Sequence, residues 1–334
     1  MPARRTGRRI MCEIHAEHAK QPVSKSILIT GGSGTFGKHC LKRLLRSPDI
    51  QRVAIYSRDE YKHQEMADVF HDQRIRYFIG DVRDLERLRR AFHGIDTVIH
   101  AAALKQIRTG EYNPREVILT NIVGAMNVVE AAIDAGVRRV MAISTDKAVQ
   151  PVNLYGATKM CAEKLFVRAN AYATGTPTRF ACVRYGNVIG SRGSLFERWH
   201  NGTGKVILTD PRMTRFAMRA DQAVEFVLSC LERMQGGEIF VPKLTAFRLI
   251  DAVRQMTATG DVTVIGAQPG EKIHETLIGP EEQGVVDCGD SFVIEPANPS
   301  WQYKPIGLHV EPSAFTSDQA ISDQWEAPHH DFSI

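Results

Sequence analysis

The chain is poor in features that mark several protein classes. Its six cysteines (Cys12, Cys40, Cys161, Cys182, Cys230 and Cys288) form no C-x-x-C pair, so neither a zinc ribbon nor a dithiol redox motif is expected, and no metal site. Several fall within apolar helix or strand patterns, which predicts reduced thiols in a cytoplasmic protein rather than a disulfide framework. No stretch reads as the roughly 20 apolar residues of a membrane span. No internal repeat or low-complexity run is visible, and no membrane partner is expected. Net charge is also scarce once its place is considered. The formal +4 resides in residues 1–25, which carry four Arg and two Lys against two Glu. The rest of the chain is balanced, which gives no reason to expect a nucleic-acid partner. The basic leader, residues 1–24, lacks the apolar core of a secretory signal. It is expected to be a disordered tail; a start at Met11 also fits.

What is present is a regular alternation. Short apolar runs at Ser26–Thr30, Arg52–Tyr56, Ile75–Ile79, Thr97–Ala102, Arg139–Ser144 and Phe180–Tyr185 alternate with helical patterns at Phe36–Arg46, Leu85–Phe92, Pro114–Asp134 and Leu154–Ala173. Such alternation predicts parallel strands with right-handed crossovers, hence an α/β, doubly wound (Rossmann) sheet over residues 25–190. The helix from Pro114 has Asn113 as N-cap, Pro114 in its first turn and Gly136 at its exit. It is apolar nearly all round, so one face should cover the sheet and another should meet a helix or a second subunit. Beyond 190 the pattern loosens, with strands at Val206–Leu208, Glu238–Val241 and Val262–Ile265 and helices at Asp221–Met234 and Thr245–Met256. This predicts a smaller α/β substrate-binding lobe over 191–299, followed by an irregular tail over 300–334.

Gly31-Gly32-Ser33-Gly34-Thr35-Phe36-Gly37 follows the first strand and opens the first helix. In G-x-x-G-x-x-G form, Gly31 permits the tight turn, Gly34 admits a pyrophosphate close to backbone, and Gly37 lets helix and strand pack closely. Thr35 and Phe36 open the helix, whose N-terminal N–H groups favour phosphate charge. The second strand ends in Ser57-Arg58. A hydroxyl and a guanidinium suit a 2′-phosphate, so NADP is expected over NAD; a solvated Arg in a charged turn is the alternative. Asp81, with Val82 after it, is placed for the adenine amino group, and Ala101-Ala102-Ala103 leaves room beside the cofactor.

Two acid–base pairs follow. Tyr155-x-x-x-Lys159 sets a phenol and an ammonium one helical turn apart on the same face. A phenol with pKa about 10 is a poor base, but a nearby cation favours phenolate. Asp146 and Lys147, in Ser144-Thr145-Asp146-Lys147, stand at the carboxyl end of a neighbouring strand, where open α/β sheets bind ligands. One pair can run a hydride transfer while the other moves protons on an adjacent carbon. Read blandly, Asp146-Lys147 is an exposed ion pair worth little.

Together these residues resemble the extended short-chain dehydrogenase/reductase family. Ser144–Ala148, Asn153–Lys159 and Arg184-Tyr185-Gly186-Asn187-Val188 resemble, within it, the nucleotide-sugar dehydratases of the inverting UDP-N-acetylglucosamine 4,6-dehydratase type of the pseudaminic acid pathway. Tyr56–Glu60, Met213-Thr214-Arg215-Phe216 and Gly270-Glu271-Lys272 extend the likeness over residues 25–295. Lys147 where dTDP-glucose dehydratases carry Glu, and Tyr155 where the retaining membrane-bound relatives carry Met, favour the inverting type.

The resemblance implies that Tyr155 takes the 4-hydroxyl proton, Lys159 holds the nicotinamide ribose and depresses the tyrosine pKa, and Lys147, its own pKa lowered, removes the proton on carbon 5. Asp146, protonated, would donate to the departing 6-hydroxyl, and Thr145 would bond near the carbonyl oxygen. Lys105 is assigned to both cofactor and substrate. Asn187, Val188, Arg192, Thr209, Met213, Arg215, Glu271 and Lys272 are assigned to the UDP-sugar, although Arg192, Arg215 and Glu271-Lys272 also read as solvated surface. A homo-oligomer pairing the helices of Asn121 and Tyr155 is implied as well. The leader, the tail after Ser300 and Gln106–Gly110 depart from the pattern. A 4-epimerase or ketoreductase, which would not need Asp146 or Lys147, and a non-catalytic NADP-binding regulator are the competing readings.

Overall fold

A computed structural model describes residues 24–191, 206–256, 262–310 and 314–322. The leader and Arg192 lie outside the described residues. The strands are β1 (Ser26–Thr30), β2 (Arg52–Ser57), β3 (Ile75–Ile79), β4 (Thr97–His100), β5 (Arg139–Thr145), β6 (Arg179–Tyr185), β7 (Asn187–Ile189), β8 (Val206–Leu208), β9 (Thr214–Arg219), β10 (Ile239–Pro242), β11 (Ala246–Arg248), β12 (Val262–Val264), β13 (Thr276–Ile278), β14 (Val285–Asp287), β15 (Ser291–Ile294) and β16 (Phe315–Thr316).

Nine of them form one sheet in the order β14-β15-β10-β6-β5-β4-β1-β2-β3. From β3 to β10 all neighbours are parallel, and β15 and β14 add antiparallel strands at one edge. The order reverses between β1 and β4, which opens a ligand crevice at the carboxyl ends of these strands. The doubly wound sheet is as expected. Residue 190 is not where it ends, because β10, β14 and β15 come from beyond it.

Alternate residues of each central strand serve opposite faces, as a period of two requires. Leu28, Ala54, Val98, Val140 and Cys182 pack beneath the helices Leu85–Phe92, Pro114–Asp134 and Leu154–Tyr172. Ile29, Ile55, Ile99, Met141 and Val183 pack beneath the helices Thr35–Leu44 and Ala220–Arg233. A third, smaller cluster gathers Leu208, Met213, Ala217, Phe247, Leu249 and Ala252 around β8, β9 and β11. The run expected as one helix from Thr245 is instead the strand β11 followed by a helix over Leu249–Met256. None of the five described cysteines is in a disulfide.

The Pro114–Asp134 helix corrects one expectation. By length and mean hydropathy, 1.5, it is apolar enough to cross a membrane, although half of that stretch is buried within the fold. Its apolar breadth arises because Val117, Ala125, Val128, Val129 and Ala132 all serve the core. Asn113 precedes it but donates its side-chain amide to Thr109 O rather than capping it. At the exit Gly136, at φ +64°, donates to Ile133 O, and Val137 donates to Ala132 O, the paired bonds of a Schellman stop. Over Leu119–Val123 the helix widens to a π turn, a form often found at functional sites.

Of the tail expected to be irregular, the described residues 301–310 and 314–322 form a strap across the fold. Trp301 Nε1 donates to Gly236 O, Ile306 N donates to Glu295, and β16 pairs antiparallel with β13.

Candidate active site

The glycine turn is built as its spacing predicts. Gly31 has φ +65°, and a Cβ on it would sit 2.8 Å from the Ala102 backbone, so turn and alanine stretch are in direct contact. A Cβ on Gly37 would come within 2.2 Å of Gly32 O, whereas one on Gly34 would meet only Gly31 O, at 3.2 Å. Gly37 thus serves packing and Gly34 faces open space, as a pyrophosphate cradle needs. These contacts fit a dinucleotide.

Asn121, on the π turn, pins the far wall. Its Oδ1 accepts from Leu104 N (2.8 Å), and its Nδ2 donates to Leu104 O (2.9 Å) and Thr158 Oγ1 (3.0 Å). The segment after Ala101-Ala102-Ala103, with exposed Lys105 beyond it, is thereby tied to the helix that carries Tyr155 and Lys159.

At the tip of β2 the Ser57 hydroxyl is engaged from both sides. It accepts from Ser33 Oγ (2.8 Å) and is 2.6 Å from His63 Nε2. Burial pushes the His63 pKa down, so this chain of groups is neutral. Arg58 is half exposed and 3.5 Å from Asp81, whose carboxylate also binds Arg83 at 2.7 Å. Val82 turns inward against Gly124, where an added Cβ would lie 2.6 Å from it. It is a packing residue of the cofactor wall.

The acid–base groups converge at the end of β5. Asp146–Ala148 form a 3-10 turn, and the helix Leu154–Tyr172 starts behind it with Asn153 accepting from Gly156 N. A Cβ on Gly156 would come 2.1 Å from Lys147 O. Glycine there lets the helix seat Tyr155 against the turn. Thr145 Oγ1 donates to Asp146 Oδ1 (2.9 Å), and Lys147 Nζ donates to the same oxygen (3.1 Å). Asp146 is fully buried, and its Oδ2 has no hydrogen-bond partner. Lys147 Nζ also pairs with Glu275 Oε1 at 3.1 Å.

Charge follows from this geometry. Burial, with Glu275 beside it, raises the Asp146 pKa despite Lys147, which favours the protonated acid. Burial disfavours the Lys147 ammonium, but Asp146 and Glu275 outweigh it and hold the lysine above its ordinary value. A lowered Lys147 was expected; two carboxylates within reach reverse the direction. Burial likewise opposes ionisation of Glu275, yet Lys147 and Arg215 win and hold its pKa down.

Burial pushes Tyr155 up to about 12, with Lys147 and a hydrogen bond to Thr145 pulling the other way. The cation acting on the phenol is therefore Lys147. Lys159, expected in that role, lies buried near Cys182, Glu163 and His100, and burial lowers its own pKa.

The residues assigned to the sugar divide. Asn187 and Val188 begin β7, two residues past Tyr185, the partner of Thr145 across β5 and β6. Asn187 Oδ1 is buried without a partner, as a group aimed at a ligand would be. Met213 is fully buried in the third core cluster, with Thr209 Oγ1 donating to its sulfur at 3.1 Å. Its apolar side chain is core. Arg215 donates to Thr214 O, Ile273 O and Lys272 O and lies 3.8 Å from Glu275. It ties β9 to the segment before β13. Lys272 Nζ donates to Val149 O, and Glu271 accepts from Gln268 N. Glu275 was not anticipated, because only its pairing with Lys147, 128 positions away, distinguishes it from other acidic residues.

A sequence model described as polysaccharide biosynthesis protein matches residues 27–296. The chain belongs to that family. This polysaccharide biosynthesis family member is 50% identical over 262 residues to a UDP-N-acetylglucosamine 4,6-dehydratase (inverting) of Campylobacter jejuni, covering 77% of this chain and 78% of the relative. It is 40% identical over 275 residues to a UDP-glucose 4-epimerase of Rickettsia conorii, covering 79% and 81%. Among solved structures it is similar to Pen from Bacillus thuringiensis, with TM-score 0.82 and 36% identity over 89% of this chain and 95% of that one.

Proposed function

We propose that this protein dehydrates UDP-N-acetylglucosamine across carbons 4 to 6, inverting carbon 5, with NADP as its cofactor. The observation that carries the reading is the cluster at the end of β5. There a buried acid, Asp146, and an amine, Lys147, stand against the tyrosine of the dehydrogenase pair. An alcohol oxidation alone leaves that second pair without work. The dehydratase relative supports the same substrate.

Gly31, Gly34, Gly37, Ala101, Ala102 and Lys159 would hold the dinucleotide, with Ser57 and Arg58 near the adenosine ribose. That cofactor would supply, when bound, a reversible acceptor for the hydride leaving carbon 4 and returning to carbon 6. Tyr155 accepts the 4-hydroxyl proton. Burial pushes its phenol up to about 12, and the Lys147 ammonium and the hydrogen bond to Thr145 favour the phenolate. The 4-ketone acidifies the proton on carbon 5, which Lys147 removes once its own proton has passed to Asp146 Oδ1, 3.1 Å away. Asp146, whose pKa burial raises, then protonates the departing 6-hydroxyl. Asn187, with its open Oδ1, contacts the sugar nucleotide.

The test is product analysis in deuterated water without added cofactor. A product lighter by one water, with deuterium on carbon 5, is expected. A 4-epimer of unchanged mass would instead support the second reading, favoured by the similarity to a 4-epimerase. We also propose a homo-oligomer through the helices Pro114–Asp134 and Leu154–Tyr172, whose outer faces expose Ile118, Met126, Met160 and Tyr172. Sedimentation at micromolar concentration as a monomer would rule this out.

A further inference from the structure

The helix Glu60–Val69 buries two side chains, Met66 and the polar His63. His63 is 5% exposed and reaches back to the tip of β2. Its Nε2 is 2.6 Å from Ser57 Oγ, while its Nδ1 is buried with no hydrogen-bond partner among the described residues. The ring packs at a tilt against Tyr77, with centroids 5.6 Å apart, so packing rather than a second hydrogen bond sets its plane. Ser57 Oγ also accepts from Ser33 Oγ, in the glycine turn, at 2.8 Å.

These contacts decide where the protons lie. Burial lowers the His63 pKa, which favours a neutral ring with one N–H and one lone pair. With its proton on Nδ1, the ring would bury an N–H that has no acceptor, and such orphan donors are the rarer and costlier defect. On Nε2 the proton has an acceptor, Ser57 Oγ, and only a lone pair is left unmet. The nitrogen that makes the bond therefore carries the proton. Ser57 Oγ then accepts twice, from Ser33 and from His63, which uses both of its lone pairs. Its single O–H remains, with no acceptor among the described residues. The opposite tautomer would spend that O–H on His63 and leave Ser57 with a lone pair to offer instead.

We propose that His63 selects the cofactor by fixing the Ser57 hydroxyl as a donor. A phosphate dianion can only accept, so the 2′-phosphate of NADP matches that O–H. The proton of a bare 2′-hydroxyl finds no lone pair on Ser57, so NAD gains less there. Arg58, half exposed at the same strand tip, supplies the positive charge. The nearby carboxylate of Asp81 is already engaged by Arg83 at 2.7 Å. His63, buried behind Ser57, acts through that hydroxyl and is a positioning residue. The inference rests on NADP being the cofactor.

The test reads binding rather than turnover. Purified protein is equilibrated with equal, saturating NADP⁺ and NAD⁺ and freed of unbound nucleotide. The retained nucleotides are then released and separated by ion-pair chromatography. Wild type should retain mainly NADP⁺. His63→Leu, which has no donor, should shift the retained ratio toward NAD⁺ by about tenfold. His63→Gln sets an amide N–H near the place of Nε2 and should hold the ratio within about threefold of wild type. On a Ser57→Ala background His63→Leu should change nothing further, because its effect runs through that hydroxyl. A packing role would lower retention of both nucleotides alike. Wild type preferring NADP⁺ with the ratio unchanged in His63→Leu therefore overturns the selection alone, as does a tenfold shift that survives Ser57→Ala. Wild type retaining NAD⁺ as well as NADP⁺ overturns the NADP reading and the selection together. Should His63→Leu fail to fold, the ring-nitrogen NMR shifts of wild type decide, assigned by the signal lost in His63→Gln. A protonated Nε2 beside a bare Nδ1 is expected, and the reverse tautomer sinks the proposal.

Discussion

Two buried clusters, each a cation between two carboxylates, join the large sheet to the segment around β13, and they are finished differently. In the first, Arg184 binds Glu163 through Nε at 3.0 Å and Nη2 at 2.8 Å. It binds Glu282 at 2.7 and 2.8 Å and donates to Leu277 O at 2.9 Å. Its planar fork is filled, and a guanidinium does not give up its proton. In the second, Lys147 sits between Asp146 and Glu275, and each carboxylate keeps one oxygen unpartnered. Similar charges are thus closed in one place and left open in the other. The closed cluster is built to stay; the open one contains an amine that can exchange its proton.

Substitutions that remove each cation should separate the two. Lys147→Met should lower turnover by about 1,000-fold or more while leaving urea unfolding near wild type, because Asp146 can protonate and Glu275 keeps Arg215 nearby. Initial rates beside a denaturation curve check this, and a loss under tenfold would break the comparison. Arg184→Met should do the reverse. It strands Glu163 and Glu282 in the interior at a cost of about 3–5 kcal/mol, read as a lower urea midpoint, with activity lost only in step with folding.

The smallest effect is in acid. Burial opposes ionisation of Glu282, but Arg184 outweighs it and holds its pKa below the ordinary value. A depressed folded pKa stabilises above the unfolded value, about 4.3, and that contribution fades as pH falls through the folded value. Thermal melts should therefore drop between about pH 5 and pH 3, less steeply in Glu282→Gln than in wild type.

The sheet was legible because each central strand is a short apolar run bounded by turn residues, and the glycine turn was legible because its spacing is local. Tyr155, Lys159, Asp146 and Lys147 fall within fifteen residues, so their meeting could be read from neighbouring elements. The helix Glu60–Val69 was missed: only His63 and Met66 of its ten residues are buried, too few to mark a face. Met213 and Arg215 were read as ligand contacts from motif likeness alone, and packing assigns them to the core and to backbone carbonyls. Glu275 and Ser317 were invisible for a different reason. Their meaning lies in contacts across 128 and 42 positions, and no periodicity encodes such pairs.

The strap also sets an order in time. Synthesis supplies the glycine turn first, then Asp146 and Lys147, then Tyr155 and Lys159, and only much later Glu275 and the serine that anchors it. A nascent chain that has just passed Lys159 carries both acid–base pairs but neither Glu275, which pairs with Lys147, nor Ser317, which holds it. The charge balance around Lys147 is the last part of the site to be completed at the ribosome.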